Sequence, residues 1–84
     1  MKILGRQVAA ARSLLGWSQD QLAAAADVGK QAIARWELGQ TTPHDSTIER
    51  IVAAVESRGV EFTNGDQPGV RFKKRPAEPN HPAD

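Results

Sequence analysis

Residues 18–39 decide the fold and read SQDQLAAAADVGKQAIARWELG. Ser18 followed three residues later by Gln21 is a capping box. In this arrangement the serine oxygen accepts a backbone N–H, and the glutamine side chain reaches back to the serine amide. The pattern therefore predicts a helix that begins after Ser18 and runs to about Ala25.

A tight turn and a second helix follow directly. Residues 26–29 read ADVG and interrupt the helical pattern, because Asp tolerates positive φ and Gly adopts it freely. The next helix is predicted from Lys30 to about Leu38, with Gly39 as the left-handed residue that ends it. Two short helices joined by so short a turn must cross steeply, and Ala23 is small enough to allow a close crossing.

The two helices divide their residues between a buried and an exposed side. Their spacing predicts an apolar inner side made of Leu22, Ala26, Val28, Ile33 and Trp36. It leaves a polar outer side on the second helix, made of Lys30, Gln31, Ala34 and Arg35. Trp17 and Trp36 are expected to pack in the core.

Two more helices flank this pair. Leu4, Val8, Ala11 and Leu15 fall on one helical face, and Gly16 supplies a left-handed stop after them. Pro43 marks the entry to a last helix that continues to Gly59, with apolar Ile48, Ile51, Val52 and Val55 at helical spacing. The residue that caps this helix is Thr42, His44 or Asp45, and the sequence does not choose among them.

After Gly59 the hydrophobic period changes from helical to alternating, which predicts a β-hairpin over residues 60–72. An isolated hairpin is marginal in water. Val60, Phe62, Val70 and Phe72 are therefore expected to pack on the helices or on another chain. The sequence thus divides into helices at 1–59, a hairpin extension at 60–72, and a basic then proline-rich tail at 73–84 that is expected to be disordered.

The composition of the chain narrows the classes of protein to which it can belong. Eighty-four residues provide one core at most, and the absence of cysteine excludes a disulfide scaffold, a thiolate zinc site and a cysteine nucleophile. The formal net charge of +1 gives no sign of a polyanionic partner. No apolar run approaches the roughly 20 residues of a membrane helix, and no signal sequence is evident. We expect a cytoplasmic protein without membrane contact.

Enzymatic, metal and cofactor chemistry is not expected. His44, Asp45 and Ser46 contain the residue types of a hydrolase triad, but neighbours at one helix start cannot converge on a reacting atom. Neither His44 nor His81 has a partner at metal-ligand spacing. There is also no glycine-rich phosphate loop.

The chain resembles the helix-turn-helix regulators of the Cro and phage-repressor type, often called Xre-like, over roughly residues 5–58. The resemblance is carried by Arg12, the run 15–19, Leu22, Ala23, the segment IARWE at 33–37, Gly39 and Pro43. It implies a mainly α fold, a bundle of four to five helices that is followed here by the hairpin. It also implies a homodimer that binds double-stranded DNA, with the third helix in the major groove.

The resemblance assigns roles residue by residue. Lys30, Gln31 and Arg35 match positions that contact base edges. Backbone phosphates are expected to contact Ser18 and Gln19 at the start of helix two, and Gln40, Thr41 and Thr42 after helix three. Arg12 and Glu37 match a structural ion pair between helices one and three. The sequence departs from the family at Asp27, where the turn usually has Gly, and at Gly29, where Ser or Thr usually caps the third helix.

A second hypothesis belongs to another class. In it the helices are a scaffold, and the chain is a protein-binding adaptor, such as an antitoxin or antiactivator, that uses the hairpin surface. An exposed strand edge can pair with the sheet of a partner, including that of a second copy. The hairpin alone therefore does not discriminate between an adaptor and a homodimer.

Overall fold

The computed structural model describes residues 2–64 and 67–73, and it is mainly helical. The elements are α1 (Gly5–Leu15), α2 (Gln19–Ala26), α3 (Lys30–Glu37), α4 (Asp45–Glu56), β1 (Val60–Thr63) and β2 (Gly69–Phe72). Four helices followed by an antiparallel hairpin confirm the predicted fold class. Of the basic then proline-rich tail predicted at 73–84, residues 74–84 lie outside the described residues.

The capping box at the start of α2 forms as predicted. Ser18 Oγ accepts the backbone N–H of Gln21 at 3.1 Å, and Gln21 Oε1 accepts the backbone N–H of Ser18 at 2.8 Å. The helix ends at Asp27, which adopts the left-handed conformation with φ 57°. An aspartate therefore provides the turn where the family usually has glycine. Gly29 lies at the N-cap of α3 and provides no side-chain hydrogen bond there.

The start of α4 lies at one of the three expected capping residues, whereas its end lies earlier than expected. His44 occupies the N-cap, but its side chain makes no capping hydrogen bond. The helix ends at Glu56 and does not continue to Gly59. Arg58 N–H donates to the Val55 carbonyl and Gly59 N–H to the Glu56 carbonyl, both at 3.0 Å. These bonds span three residues, so the chain tightens into a turn before Gly59 reverses it at φ 88°.

One apolar core joins the four helices and the hairpin. The inner residues predicted for α2 and α3 lie in it: Leu22, Ala23, Ala26, Ile33 and Trp36 are buried, and Val28 packs at its edge. Its other buried members are Val8, Ala11, Ile51, Ala54, Val55, Val60 and Phe62. Trp17 is partly buried, and the Arg58 guanidinium lies over its ring at 5.5 Å from the centroid.

The hairpin docks on the helices through apolar and polar contacts. Val60 and Phe62 are buried in the core. Gln7 of α1, which is 2% exposed, donates from Nε2 to the carbonyls of Thr63 and Gly69 at 2.9 and 3.0 Å. A single buried amide therefore attaches both strands to α1. Sequence analysis did not identify this role of Gln7.

Phe72 is the exception among the four apolar hairpin residues. It pairs with Val60 in the β1–β2 register, and alternation places it on the same face as Val60, Phe62 and Val70. Phe72 is nevertheless 59% exposed. The helices therefore cover Val60 and Phe62 of β1, whereas Phe72 at the end of β2 stays exposed to solvent.

Candidate nucleic-acid interface

The exposed face of α3 carries the three residues expected to contact bases. Lys30, Gln31 and Arg35 are exposed, whereas Ile33 and Trp36 on the opposite face are buried. Gln31 and Arg35 are four residues apart, so their side chains are neighbours on the helix surface. The burial of one face thus fixes which side chains α3 presents to an approaching ligand.

Arg12 and Glu37 connect α1 with the last residue of α3. Arg12 Nε donates to Glu37 Oε2 at 2.6 Å and Nη2 to Glu37 Oε1 at 2.8 Å, a two-pronged contact. The third arm of the guanidinium, Nη1, donates to the Trp17 carbonyl at 2.9 Å. The Glu37 side chain is 7% exposed and that of Arg12 is 20% exposed, so water is largely excluded from this pair.

Gln19 adds the start of α2 to the same network. Its Nε2 donates to Glu37 Oε1 at 2.9 Å. One carboxylate thereby fixes the end of α3 against both α1 and the start of α2. Gln19 thereby supports α3 through Glu37, and its amide group retains a second N–H donor.

The network also sets the ionisation of Glu37. Burial acts to raise the pKa of this carboxyl, but the hydrogen bonds from Arg12 and Gln19 and the charge of Arg12 outweigh it. The pKa of Glu37 is therefore lowered from its usual 4.5, and Glu37 remains charged at neutral pH. The pKa of Arg12 is raised, mainly by its hydrogen bond to Glu37.

The residues expected to contact the DNA backbone flank α3 in two groups. Ser18 and Gln19 lie at the start of α2, where the Ser18 hydroxyl already accepts the Gln21 amide. Gln40, Thr41 and Thr42 form an exposed loop after α3. Gly39 leads into this loop with φ 76°.

Asp20 is an acidic residue at this surface that the sequence analysis did not assign. Its Oδ2 lies 3.5 Å from Lys30 Nζ, and both side chains are exposed. No spacing rule predicts this contact, because it depends on how α2 and α3 cross. The pair reduces the positive charge at the start of α3.

The described residues contain neither a metal-ligand cluster nor a membrane-spanning helix. No group of three or more His, Asp or Glu side chains there could hold a metal ion. None of the helices in that part of the chain is long and apolar enough to cross a membrane.

The helix order and the supported, exposed α3 define a DNA-binding helix-turn-helix domain. A family model described as helix-turn-helix matches residues 8–59, which is more than half of the chain. The chain belongs to this family, the Cro/repressor type of DNA-binding transcriptional regulators also called Xre-like. A comparison with curated proteins found no match.

Proposed function

We propose that the chain is a homodimeric repressor, or a regulator of its own promoter, that reads a palindromic operator with α3 in the major groove. The observation that carries the proposal is the exposed α3 face with Lys30, Gln31 and Arg35. The partly buried network of Arg12, Gln19 and Glu37 supports this helix from behind. A rigidly supported helix keeps its base-contacting side chains in register with the base edges.

The chemistry of the three side chains suits base recognition. Arg and Lys donate to the O6 and N7 of guanine, and Gln forms two hydrogen bonds with adenine N6 and N7. Gln31 and Arg35 are adjacent on the helix and would contact neighbouring base pairs. Lys30 has to leave Asp20 to reach a base, a small cost because exposed ion pairs are weak.

Backbone contacts would set the register of the domain on the duplex. Ser18 and Gln19 lie at the start of α2, whereas Gln40, Thr41 and Thr42 follow α3, so the two groups lie on either side of the recognition helix along the chain. Hydroxyl, amide and backbone N–H groups are common donors to phosphate oxygens. We infer that the two groups bind the phosphates of the strands that border the major groove.

The simplest mechanism of repression is that the bound dimer occupies the promoter. A dimer bound across an operator that overlaps a promoter blocks access of the polymerase. Two α3 helices in successive major grooves require half-sites whose centres lie about 34–36 Å apart.

Selection of bound sites from random duplexes tests this proposal. The full chain should enrich a palindrome with that half-site spacing, and binding should weaken steeply as salt rises from about 50 to 200 mM. Absence of enrichment at both salt concentrations would contradict sequence-specific binding.

Gln31→Ala and Arg35→Ala are each expected to relax specificity at one base pair of the half-site. Loss of a bidentate contact costs about 1–3 kcal/mol of discrimination. Both residues are exposed, so the melting temperature should not change. Binding to the operator and to its single-base variants is measured by titration. Gln67→Ala, which changes an exposed glutamine between β1 and β2, is the control. Wild-type base preferences in both variants would refute the assignment.

The unpaired edge of β2 in the described chain supports a homodimer. Lys73 N–H donates to the Gly59 carbonyl at 2.6 Å, which makes these two residues a hydrogen-bonded pair of the ladder. By alternation, the backbone groups of Val70 and Phe72 point away from β1, and in the described chain β2 pairs with β1 alone. We infer that β2 of one copy pairs with β2 of the other, with Phe72 covered between them.

Phe72→Ser is expected to convert the dimer to a monomer that remains folded, because Phe72 contributes little to the core. Operator binding should weaken strongly, since two half-sites would then be bound independently. Sedimentation equilibrium reports the mass, and Leu14→Ser serves as the control because Leu14 is also an exposed apolar residue. A dimer that persists in the Phe72 variant would exclude this interface.

The exposed edge of β2 also supports the second candidate function, that of a protein-binding adaptor, because such an edge can pair with the sheet of another protein. A wild-type chain that is monomeric and enriches no palindrome would support it. Removal of the whole hairpin is a poor test, since it would also take Val60 and Phe62 out of the core. The single substitution at Phe72 avoids this loss.

A further inference from the structure

The segment before α1 lies against the end of α3. A Cβ on Gly5 would lie 1.8 Å from the Trp36 carbonyl oxygen, so the start of α1 touches the backbone of the last turn of α3. Gln7 Oε1 accepts the Leu4 N–H at 2.7 Å, and the Leu4 carbonyl accepts the N–H of Gln7 at 2.9 Å. The chain around Leu4 is therefore fixed in position beside α3.

This packing places Lys2 beside the loop that follows α3. A groove of about 410 Å³ has Lys2, Thr41 and Thr42 among its lining residues. Thr41 and Thr42 belong to the group expected to contact the DNA backbone. A phosphate bound to their hydroxyl groups would therefore lie at a groove that Lys2 also lines.

Arg6, the second residue of α1, lies near the groove that Lys2 lines. It lines a smaller groove of about 190 Å³ together with Leu38 and Gly39. Lys2 and Arg6 are both exposed, and the three ion pairs among the described residues include neither of them. Asp45 also lines the Lys2 groove, so the positive charge there is partly offset.

The position of these cations at the N-terminal end of α1 is electrostatically unfavourable without an anionic partner. Arg6 lies in the first turn of α1, which contains no acidic residue, and Lys2 precedes it. The N-terminal end of a helix carries partial positive charge and favours anions. Two cations at this end therefore create a local positive potential that a polyanion would relieve.

We propose that Lys2 and Arg6 bind backbone phosphates of the DNA and extend the interface beyond α3 and its flanking loop. The inference rests on the proposed function, since it concerns the same duplex. These contacts are independent of base sequence and add affinity and orientation. Lys2 and Arg6 also add positive charge to a surface on which Asp20 offsets part of the charge of Lys30.

The salt dependence of binding tests this proposal in the full chain. Each phosphate contact contributes about −0.9 to the slope of log K against log salt. Lys2→Ala and Arg6→Ala should each reduce the steepness of the slope by about this amount per bound copy, which is about 1.8 for the proposed dimer. The reduction should be the same for the selected operator and for an unrelated duplex. Base preferences should be unchanged, in contrast to Arg35→Ala, and Lys2→Arg should restore the wild-type slope.

Lys73→Ala is the control. Lys73 is hydrogen-bonded to Gly59 after the end of α4, whereas the Lys2 groove reaches Asp45 at its start, and 12 residues of helix separate these ends by about 18 Å. Wild-type slopes in both alanine variants, with intact operator binding, would overturn the inference alone. A wild-type chain that binds neither duplex would overturn the proposed function and the inference together.

Discussion

Glu37→Ala is expected to lower the free energy of unfolding by about 3–5 kcal/mol, the usual cost of leaving one charge of a buried pair without its partner. The substitution removes two of the three acceptors of the Arg12 guanidinium and the acceptor of Gln19. Arg12 would keep only its bond to the Trp17 carbonyl in a site that water reaches poorly. The end of α3 would lose its side-chain hydrogen bonds to α1 and to α2 at once.

Chemical or thermal denaturation measures this effect. Since about 1 kcal/mol shifts the melting temperature of a domain of this size by roughly 4–8 °C, the change should be large. DNA binding should be lost in parallel with folding. Glu49→Ala, on the exposed side of α4, is the matched control and should change little. Wild-type stability of the Glu37 variant would contradict the structural role of the pair.

The same contact predicts how stability depends on pH. The pKa of Glu37 is lowered in the folded protein by Arg12 and Gln19, against the effect of burial. Its contribution is therefore fully present above the ordinary pKa of 4.5 and is lost as pH falls through the lower folded value. Wild type should lose stability in this acidic range more steeply than Glu37→Gln, which has no charge to titrate.

The central two helices were predictable because their signals are local. The Ser18 and Gln21 capping box, the left-handed Asp27 and the left-handed Gly39 each depend on residues a few positions apart. The contact between Arg12 and Glu37 spans 25 residues, and it was anticipated only through the family resemblance.

Long-range polar contacts were not predictable in this way. Gln7 bonds Thr63 and Gly69, which lie 56 and 62 residues further along the chain. A glutamine next to Val8 on an apolar helix face indicates that its amide forms a hydrogen bond with a buried polar group. The sequence does not reveal the partner, because the partner is a backbone carbonyl of no particular residue type. The exposure of Phe72 likewise depends on how far the helices extend under the hairpin.

Gly5→Ala is the second substitution expected to have a large effect, and no sequence pattern singled out Gly5. An added Cβ would lie 1.8 Å from the Trp36 carbonyl oxygen and 2.5 Å from its carbonyl carbon. Both are backbone atoms, so no side-chain rotation can relieve the overlap. The start of α1 must move away from α3, at a cost of about 1–3 kcal/mol for overpacking.

The displacement acts on functional contacts as well as on stability. Glu37 follows Trp36 directly, so separation of α1 from α3 also strains its bonds to Arg12. Gly29→Ala is the matched control, since nothing lies within 4 Å of its added Cβ and its φ is −73°. That change should cost about 1 kcal/mol or less through the N-cap. Equal melting temperatures for the two variants would show that α1 does not approach α3 this closely, which would also remove the basis for placing Lys2 beside Thr41 and Thr42.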